Sequence, residues 1–112
     1  MKNKYKNSSV SLKNEIIKLK NKSEEISIKL FKDGNNKSIE FEVNKGLIKG
    51  FNSILEKDFG VLCLADEGYL QKFIKVTFNL TDHRYFMDGY YMAYTHLYNL
   101  CFDSNTDIDE II

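Results

Sequence analysis

Residues 25–44 read EISIKLFKDGNNKSIEFEVN. Apolar and polar residues alternate on both sides of the Asp-Gly-Asn-Asn cluster at 33–36, a pattern that is typical of a β-hairpin. A four-residue loop pairs Leu30 with Ile39 across the two strands, whereas a two-residue loop would set Leu30 against Lys37. We therefore predict a β-hairpin in this stretch, closed by the four-residue loop.

The remaining elements are predicted from the spacing of apolar residues, which recur every three or four positions in a helix and alternate in a strand. In chain order they are a helix over residues 10–22, the hairpin, a helix over 47–58, strands over 61–65 and 74–80, and a helix from about 81 to 101. The order α-β-β-α-β-β-α predicts an α+β fold, in which an antiparallel sheet carries the helices mainly on one face. A length of 112 residues fits one domain over residues 1–112, with a basic N-terminal segment (1–9) and an acidic C-terminal tail (103–112).

Charge is unevenly distributed along the chain, although the net charge is zero. Residues 1–57 contain thirteen lysines against seven acidic residues, hence +6, and residues 58–112 contain three basic residues against nine acidic ones, hence −6. Such asymmetry is typical of a surface that meets a charged partner. Solvated faces that neutralise each other within the fold explain it equally well.

The cellular compartment is indicated by the cysteines and by the apolar runs. Cys63 and Cys101 are far apart in sequence and lie among apolar residues, as expected of two reduced, buried thiols. No apolar run is long enough to cross a bilayer, and no apolar stretch follows the basic start of the chain. We therefore expect a cytoplasmic protein without a membrane partner.

Two arrangements with nucleophilic or acid–base potential occur, and both have a simpler explanation. Residues 82–84 read Asp-His-Arg at the predicted junction of a strand and a helix, but adjacent residues in a first helical turn point in different directions. Helix capping and favourable charge at the helix start explain them better. His96 is five residues from Cys101 on one helix and is poorly placed to activate it, and the aliphatic neighbours of Cys63 would raise the pKa of that thiol.

Metal and phosphate motifs are incomplete. Two histidines and two cysteines without a short spacing do not make a zinc site. Residues 103–109 resemble the opening of a calcium loop, yet Ile108 occupies the sixth position, where glycine is needed. Gly46 and Gly50 lack the spacing and the Lys-Ser/Thr pair of a phosphate loop. We therefore expect no enzymatic activity, no metal and no cofactor.

The last predicted helix is unusually rich in tyrosine. Its five tyrosines, with Phe86, Met87 and Met92, exceed what one buried stripe requires. Tyrosine and methionine are favoured at protein interfaces, although a central helix packed on two sides would explain them equally well. On the interface interpretation, the predicted partner-binding residues are Tyr91, Met92, Tyr98, Asp103, Asp107 and Asp109.

Together these features favour a small protein that binds another protein without catalysis. Such proteins are often stoichiometric inhibitors that occlude a target surface, as toxin immunity proteins and phage-type anti-defence proteins do. The alternative is a nucleic-acid-binding or regulatory protein that uses a basic face on the first helix. That face comprises Lys13, Lys18, Lys20 and Lys22. The sequence is also compatible with a homodimer.

Overall fold

The structure is a computed structural model that describes residues 2–77, 85–103 and 105, with the backbone alone for 76 and 77. Its helices are α1 (Ser9–Lys32), α2 (Ile39–Leu55), α3 (Phe59–Leu62), α4 (Glu67–Thr77) and α5 (Tyr85–Phe102). Of the residues in these described ranges 77% are helical, and none of them forms a strand. The predicted α+β fold with an antiparallel sheet is therefore wrong, and the described chain is an all-helical bundle.

The predicted β-hairpin over 25–44 is a helix, a loop and a second helix. Gly34 has a φ of +78°, which glycine adopts without steric cost. The Asn35 amide donates to the carbonyl oxygen of Leu30 (2.8 Å), and the Gly34 amide donates to that of Phe31 (3.1 Å). These two bonds form a Schellman motif, which ends a helix. The turn residues that suggested a β-turn therefore terminate α1.

The buried face of α1 includes a polar residue, Ser23. Leu12, Ile16 and Ser23 are its buried residues. Asn44 of α2 donates from its side-chain nitrogen to the Ser23 carbonyl oxygen (2.6 Å) and to Ser27 Oγ (2.7 Å). Because this polar contact lies where α1 crosses α2, the apolar stripe of α1 is interrupted at Ser23. The predicted first helix therefore ended at residue 22, although α1 continues to Lys32.

The second helix also begins earlier than predicted, at Ile39 rather than at 47. Ser38 is its N-cap, since its hydroxyl accepts the amide hydrogen of Phe41 (3.1 Å). Glu40 in the first turn adds a favourable charge at the positive end of the helix dipole. Local capping therefore stabilises a helix where alternation suggested a strand.

The two remaining predicted strands are wrong as well. Residues 61–65 contain the end of α3 and a turn, and α3 is capped by Asp58, whose Oδ1 accepts the Gly60 amide hydrogen (2.9 Å). The first four residues of the predicted strand at 74–80 belong to α4, in which Leu70 and Ile74 are both fully buried at a helical spacing of four. The other residues of that strand lie outside the described ranges.

The last predicted helix corresponds to α5, which ends at Phe102, while its predicted cap at 81 or 82 lies outside the described residues. Small residues line its crossing with α2: Gly46 and Gly50 on α2, and Gly89 and Ala93 on α5. A Cβ atom at Gly89 would overlap the carbonyl oxygen of Val43, and one at Gly46 would overlap that of Phe86. The two helix backbones therefore approach each other as closely as glycine permits.

The N-terminal segment is tied to the bundle by its own polar groups. Asn3 donates from its side-chain nitrogen to the carbonyl oxygens of Leu62 (2.9 Å) and Ala65 (3.1 Å). The amide of Lys4 donates to the carbonyl oxygen of Cys101 (2.7 Å) at the end of α5. The residues before α1 are thus fixed against α3 and α5. Among the described helices, none has the length and apolar character required to cross a membrane.

Candidate functional site

The end of the bundle formed by residues 24–43 contains no buried residue. We call these twenty residues the helical tip, since they comprise the last turns of α1, the loop and the first residues of α2. The core-facing residues of α1 and α2 lie outside this range, from Leu12 to Ser23 and from Asn44 to Ile54. The helical tip is therefore an extension of the bundle beyond its core.

Large apolar side chains are exposed on the helical tip. Ile28 is 56% exposed, Phe31 is 64% exposed and Ile39 is 56% exposed. Ile28 and Phe31 are three residues apart on α1 and so are neighbours on one helix face, while Ile39 begins α2 across the loop. A single exposed apolar residue is ordinary, but several at one end of a small protein are typical of an interaction surface.

The helical tip is held in place by its own hydrogen bonds. The Schellman motif closes α1, and Ser38 Oγ donates to the Asn35 carbonyl oxygen (2.7 Å). At the base of the tip, Asn44 links α2 to α1 through Ser23 and Ser27. These hydrogen bonds fix the conformation of the loop relative to both helices.

A second apolar surface lies at the corner between α3 and α4. It is a cavity of about 360 Å³, which we call the corner groove. Its lining residues are Gly60, Val61, Leu64, Ala65, Asp66 and Tyr69. A smaller hollow of about 200 Å³ adjoins it, shares residues 64–66 and is otherwise lined by Lys2, Asn3, Lys6 and Cys63. We call this the basic hollow.

The predicted partner-binding residues do not form one exposed patch. Tyr91 and Tyr98 are buried, with 4% and 5% of their surface exposed, whereas Met92 is exposed. Asp103 is exposed at the end of α5 and forms an ion pair with Lys4 (3.4 Å). Asp107 and Asp109 lie outside the described residues. Of the predicted set, therefore, Met92 and Asp103 are the described residues that a partner could contact directly.

The tyrosines of α5 take part in the interior of the bundle, because α5 packs on both α2 and α4. Ser53 Oγ of α2 is hydrogen-bonded to Tyr94 Oη (2.7 Å) and accepts from Tyr90 Oη (3.1 Å). Gln71 of α4 donates to Tyr98 Oη (3.2 Å). Burial raises the pKa of Tyr94 above its usual value, and its phenol stays protonated. The tyrosine-rich helix is thus a central helix packed on two sides.

The lysines of the predicted basic face lie on different sides of α1. Lys13 and Lys20 are seven residues apart and share one side, while Lys18 and Lys22 are four apart and share another. Two of the four are paired within the helix, Lys18 with Glu15 (3.2 Å) and Lys20 with Glu24 (3.8 Å). The four lysines therefore surround the solvent side of α1 instead of forming a single patch.

The described side chains form no constellation with evident chemistry. No group of three or more His, Cys, Asp or Glu residues in the described ranges is placed to hold a metal ion. His96 lies at the surface beside the Phe51 ring (centroids 5.9 Å apart), and partial burial lowers the pKa of His96. Residues 82–84, the other candidate acid–base group, lie outside the described residues.

Both cysteines are free and buried, as the sequence predicts. Burial raises the pKa of the Cys101 thiol to about 12, and the nearby Cys63 adds to the rise. We expect both thiols to react with a disulfide reagent at least roughly 100-fold more slowly in the native protein than in concentrated urea, because burial excludes the reagent. For Cys101 the raised pKa slows the reaction further, since the thiolate is the reacting form. Absorbance of the released chromophore measures this, and rapid native labelling of either thiol would contradict the packing.

Comparison with known proteins gave no match: no family model, no curated protein and no solved structure is significantly similar to the chain. The sequence reasoning missed both exposed surfaces, because it placed Ile28 and residues 61–65 in strands of a predicted sheet. One signal was available. The sequence Asp-Gly-Asn is typical of a helix C-terminus as well as of a β-turn. Had a helix C-terminus been assumed, Ile28 and Phe31 would have been placed on the surface of a helix.

Proposed function

We propose that this protein binds another protein without catalysis and inhibits it stoichiometrically, in the cytoplasm, by inserting the helical tip into a cleft of its target. Toxin immunity proteins and phage-type anti-defence proteins belong to this functional class. The observation that carries the proposal is the exposure of Ile28, Phe31 and Ile39 on an ordered, projecting element. A convex apolar element suits occlusion, because it fills a concave site and excludes the natural ligand.

The energetics of the helical tip support this mode of binding. Complete burial of one large apolar side chain contributes about 1.5–3 kcal/mol, and a few such anchors dominate the affinity of most interfaces. Ile28 and Phe31, as neighbours on α1, form the centre of the anchor. The hydrogen-bonded loop reduces the entropic penalty of association.

The charge around the tip indicates the character of the target. Residues 24–43 carry three lysines against five acidic residues, hence −2. Complementary fields accelerate encounter, so we propose a target whose cleft is rimmed by basic residues. Its association rate should fall as the salt concentration rises.

The test compares Ile28→Asp/Phe31→Asp with the control Val10→Asp, which alters a 71% exposed residue at the other end of α1. Because all three side chains are exposed, the stability of both variants should stay within about 0.5 kcal/mol of the parent. A partner cross-linked in host cells and then purified should bind the parent and the control 1:1 in calorimetry. The tip variant should bind it at least roughly 100-fold more weakly.

Equal binding of the tip variant and the control would refute the proposal. If nucleic acid is retained in place of a protein, a role for the lysines of α1 would be favoured. The mobility shift should then persist at physiological salt and be lost when Lys13, Lys18, Lys20 and Lys22 are changed to glutamine.

A further inference from the structure

The segment before α1 lies against the first of the two cysteines. We call residues 2–7 the N-terminal strap. Asn3 in the strap is buried, and it donates to the carbonyl oxygens of Leu62 (2.9 Å) and Ala65 (3.1 Å). These two carbonyls flank Cys63, which lines the basic hollow together with Asn3. The strap therefore covers the segment that carries the Cys63 thiol.

The same strap covers the second cysteine. The Lys4 amide donates to the carbonyl oxygen of Cys101 (2.7 Å), and the next residue, Tyr5, is buried in the core. Burial raises the pKa of Cys101, and a hydrogen bond with the Asn3 side chain opposes that rise, so Asn3 also reaches this thiol. Cys101 is 0% exposed. A reagent therefore has two routes to Cys101, which are release of the strap and unfolding of the bundle.

The strap has hydrogen bonds of its own, which allow it to move as a unit. The Tyr5 amide donates to Asn3 Oδ1 (2.9 Å), and the Lys6 amide donates to the Asn3 carbonyl oxygen (3.2 Å). Asn7 has a φ of +67° and turns the chain from the strap into α1. Asparagine adopts this left-handed conformation more readily than most other residues with a side chain. A change of dihedral angles at Asn7 therefore swings the strap away and leaves α1 in place.

Release of the strap breaks fewer contacts than unfolding of the bundle. It removes the hydrogen bonds that Asn3 and the Lys4 amide donate to α3 and α5, and it exposes Tyr5. The ion pair between Lys4 and Asp103 (3.4 Å) is exposed, so its loss has little effect. The crossing of α2 and α5 is not involved. Because local openings with few broken contacts require less free energy than global unfolding, release of the strap is the easier route to both thiols.

We propose that the N-terminal strap is a redox-sensitive latch, which covers both thiols when they are reduced and stays released once Cys101 carries a mixed disulfide. In the open state the Cys101 thiol loses its proton to water, and the thiolate attacks one sulfur of a small-molecule disulfide. A new S–S bond forms, and the other half of the reagent leaves as a thiolate. The added group has no space beneath the docked strap, because Cys101 is 0% exposed. The latch lies at the opposite end of α1 from the helical tip, so it is independent of the proposed inhibition.

Thiol labelling of the folded full chain separates strap release from unfolding. The test variant is Asn3→Ala, and the matched control is Asn44→Ala, which removes another buried asparagine that donates two hydrogen bonds (2.6 and 2.7 Å). Asn3→Ala should accelerate labelling of both cysteines by an aromatic disulfide at least roughly 10-fold, because it frees the strap. Asn44→Ala should label at about the rate of the parent, with peptide mass mapping to assign the label. Equal acceleration by both variants, or none by Asn3→Ala, would overturn the proposal.

The urea dependence of labelling gives a second measure of the route. In the parent the rate should change little with urea concentration below the unfolding transition, since release of the strap exposes little surface. A rate that rises as steeply as the equilibrium constant for unfolding would show that labelling requires unfolding of the bundle, and it would overturn the proposal even if Asn44→Ala does not fold.

Hydrogen exchange of the Lys4 amide reports the latch directly, since this amide donates to the Cys101 carbonyl oxygen. After complete labelling and removal of the reagent, it should exchange at least roughly 10-fold faster than in the reduced protein, while the amides of α2 stay protected. Dithiothreitol should restore slow exchange. The control Cys63→Ala/Cys101→Ala, treated with the same reagent, should keep its Lys4 amide protected. A protected Lys4 amide in the labelled protein, or simultaneous loss of protection in α2, would overturn the latch.

Discussion

Gly89→Ala is expected to lower the free energy of unfolding by roughly 3 kcal/mol or more, enough to unfold a marginally stable domain. A methyl group at this position would overlap the carbonyl oxygen of Val43 and lie 2.9 Å from the backbone nitrogen of Leu47. Both are backbone atoms of α2, so no side-chain rotation can relieve the overlap. The helices would have to separate, and the core that they share would lose its packing.

Gly46→Ala should have the same effect from the opposite side, because its methyl group would overlap the carbonyl oxygen of Phe86. The matched control is Gly68→Ala in α4, where the nearest atom to a new Cβ is Asp66 Oδ1 at 3.5 Å. Alanine there should leave the protein unchanged or stabilise it by up to about 1 kcal/mol. Urea unfolding followed by circular dichroism compares the three variants. If Gly89→Ala is as stable as Gly68→Ala, α2 and α5 do not cross at their glycines.

This crossing also shows how much of the fold the sequence could predict. The Gly46/Gly50 and Gly89/Ala93 spacings place small residues on one face of each helix, but only if both segments are first recognised as helical. The first helix was predicted only over residues 10–22, where its apolar spacing is regular, whereas the last helix was predicted over nearly the whole of α5. α2 was recognised only in its second half, since Ile39 and Val43 also fit strand alternation.

The hairpin prediction was wrong because of exposed apolar residues near the end of α1. Ile26, Ile28 and Leu30 alternate like a strand. On α1, Ile26 and Leu30 continue the helical spacing of the buried residues, whereas Ile28 lies on the opposite side. Ile28 and Phe31 are apolar but exposed, and they obscure the helical period. Exposed apolar residues break the match between the apolar pattern and the buried face of a helix, so sequence reasoning fails there for a physical reason.

Tyrosine is ambiguous in the candidate site. A tyrosine suits a core or an interface equally well, because its ring is apolar and its hydroxyl needs a partner. Gln71 supplies that partner to Tyr98 from another helix, which no local pattern reveals. The tyrosine pattern alone therefore left an interface and a central helix equally open, and the contacts with α2 and α4 place Tyr98 in the interior.

Tyr98→Ala, the second variant with a large expected effect, should lower the free energy of unfolding by about 3–5 kcal/mol. Tyr98 is 5% exposed, and its ring lies 5.3 Å from that of Phe102 (centroid to centroid). Alanine would leave a cavity between α5 and α4 and remove the hydrogen bond from Gln71. The melting temperature should fall by roughly 4–8 °C for each kcal/mol lost. If Tyr98 served only to contact a partner, its substitution would change neither the free energy of unfolding nor the melting temperature.

Tyr98→Phe separates packing from hydrogen bonding. It keeps the ring and removes only the hydroxyl that accepts from Gln71 (3.2 Å), so the expected loss is about 1 kcal/mol. A large loss for Tyr98→Ala with a small loss for Tyr98→Phe assigns the residue to the core. If Tyr98→Ala unfolds at the same urea concentration as the parent, its ring is not buried against Phe102. The predicted binding role of Tyr98 would then regain its physical basis, because an exposed ring on α5 would be free to contact a partner.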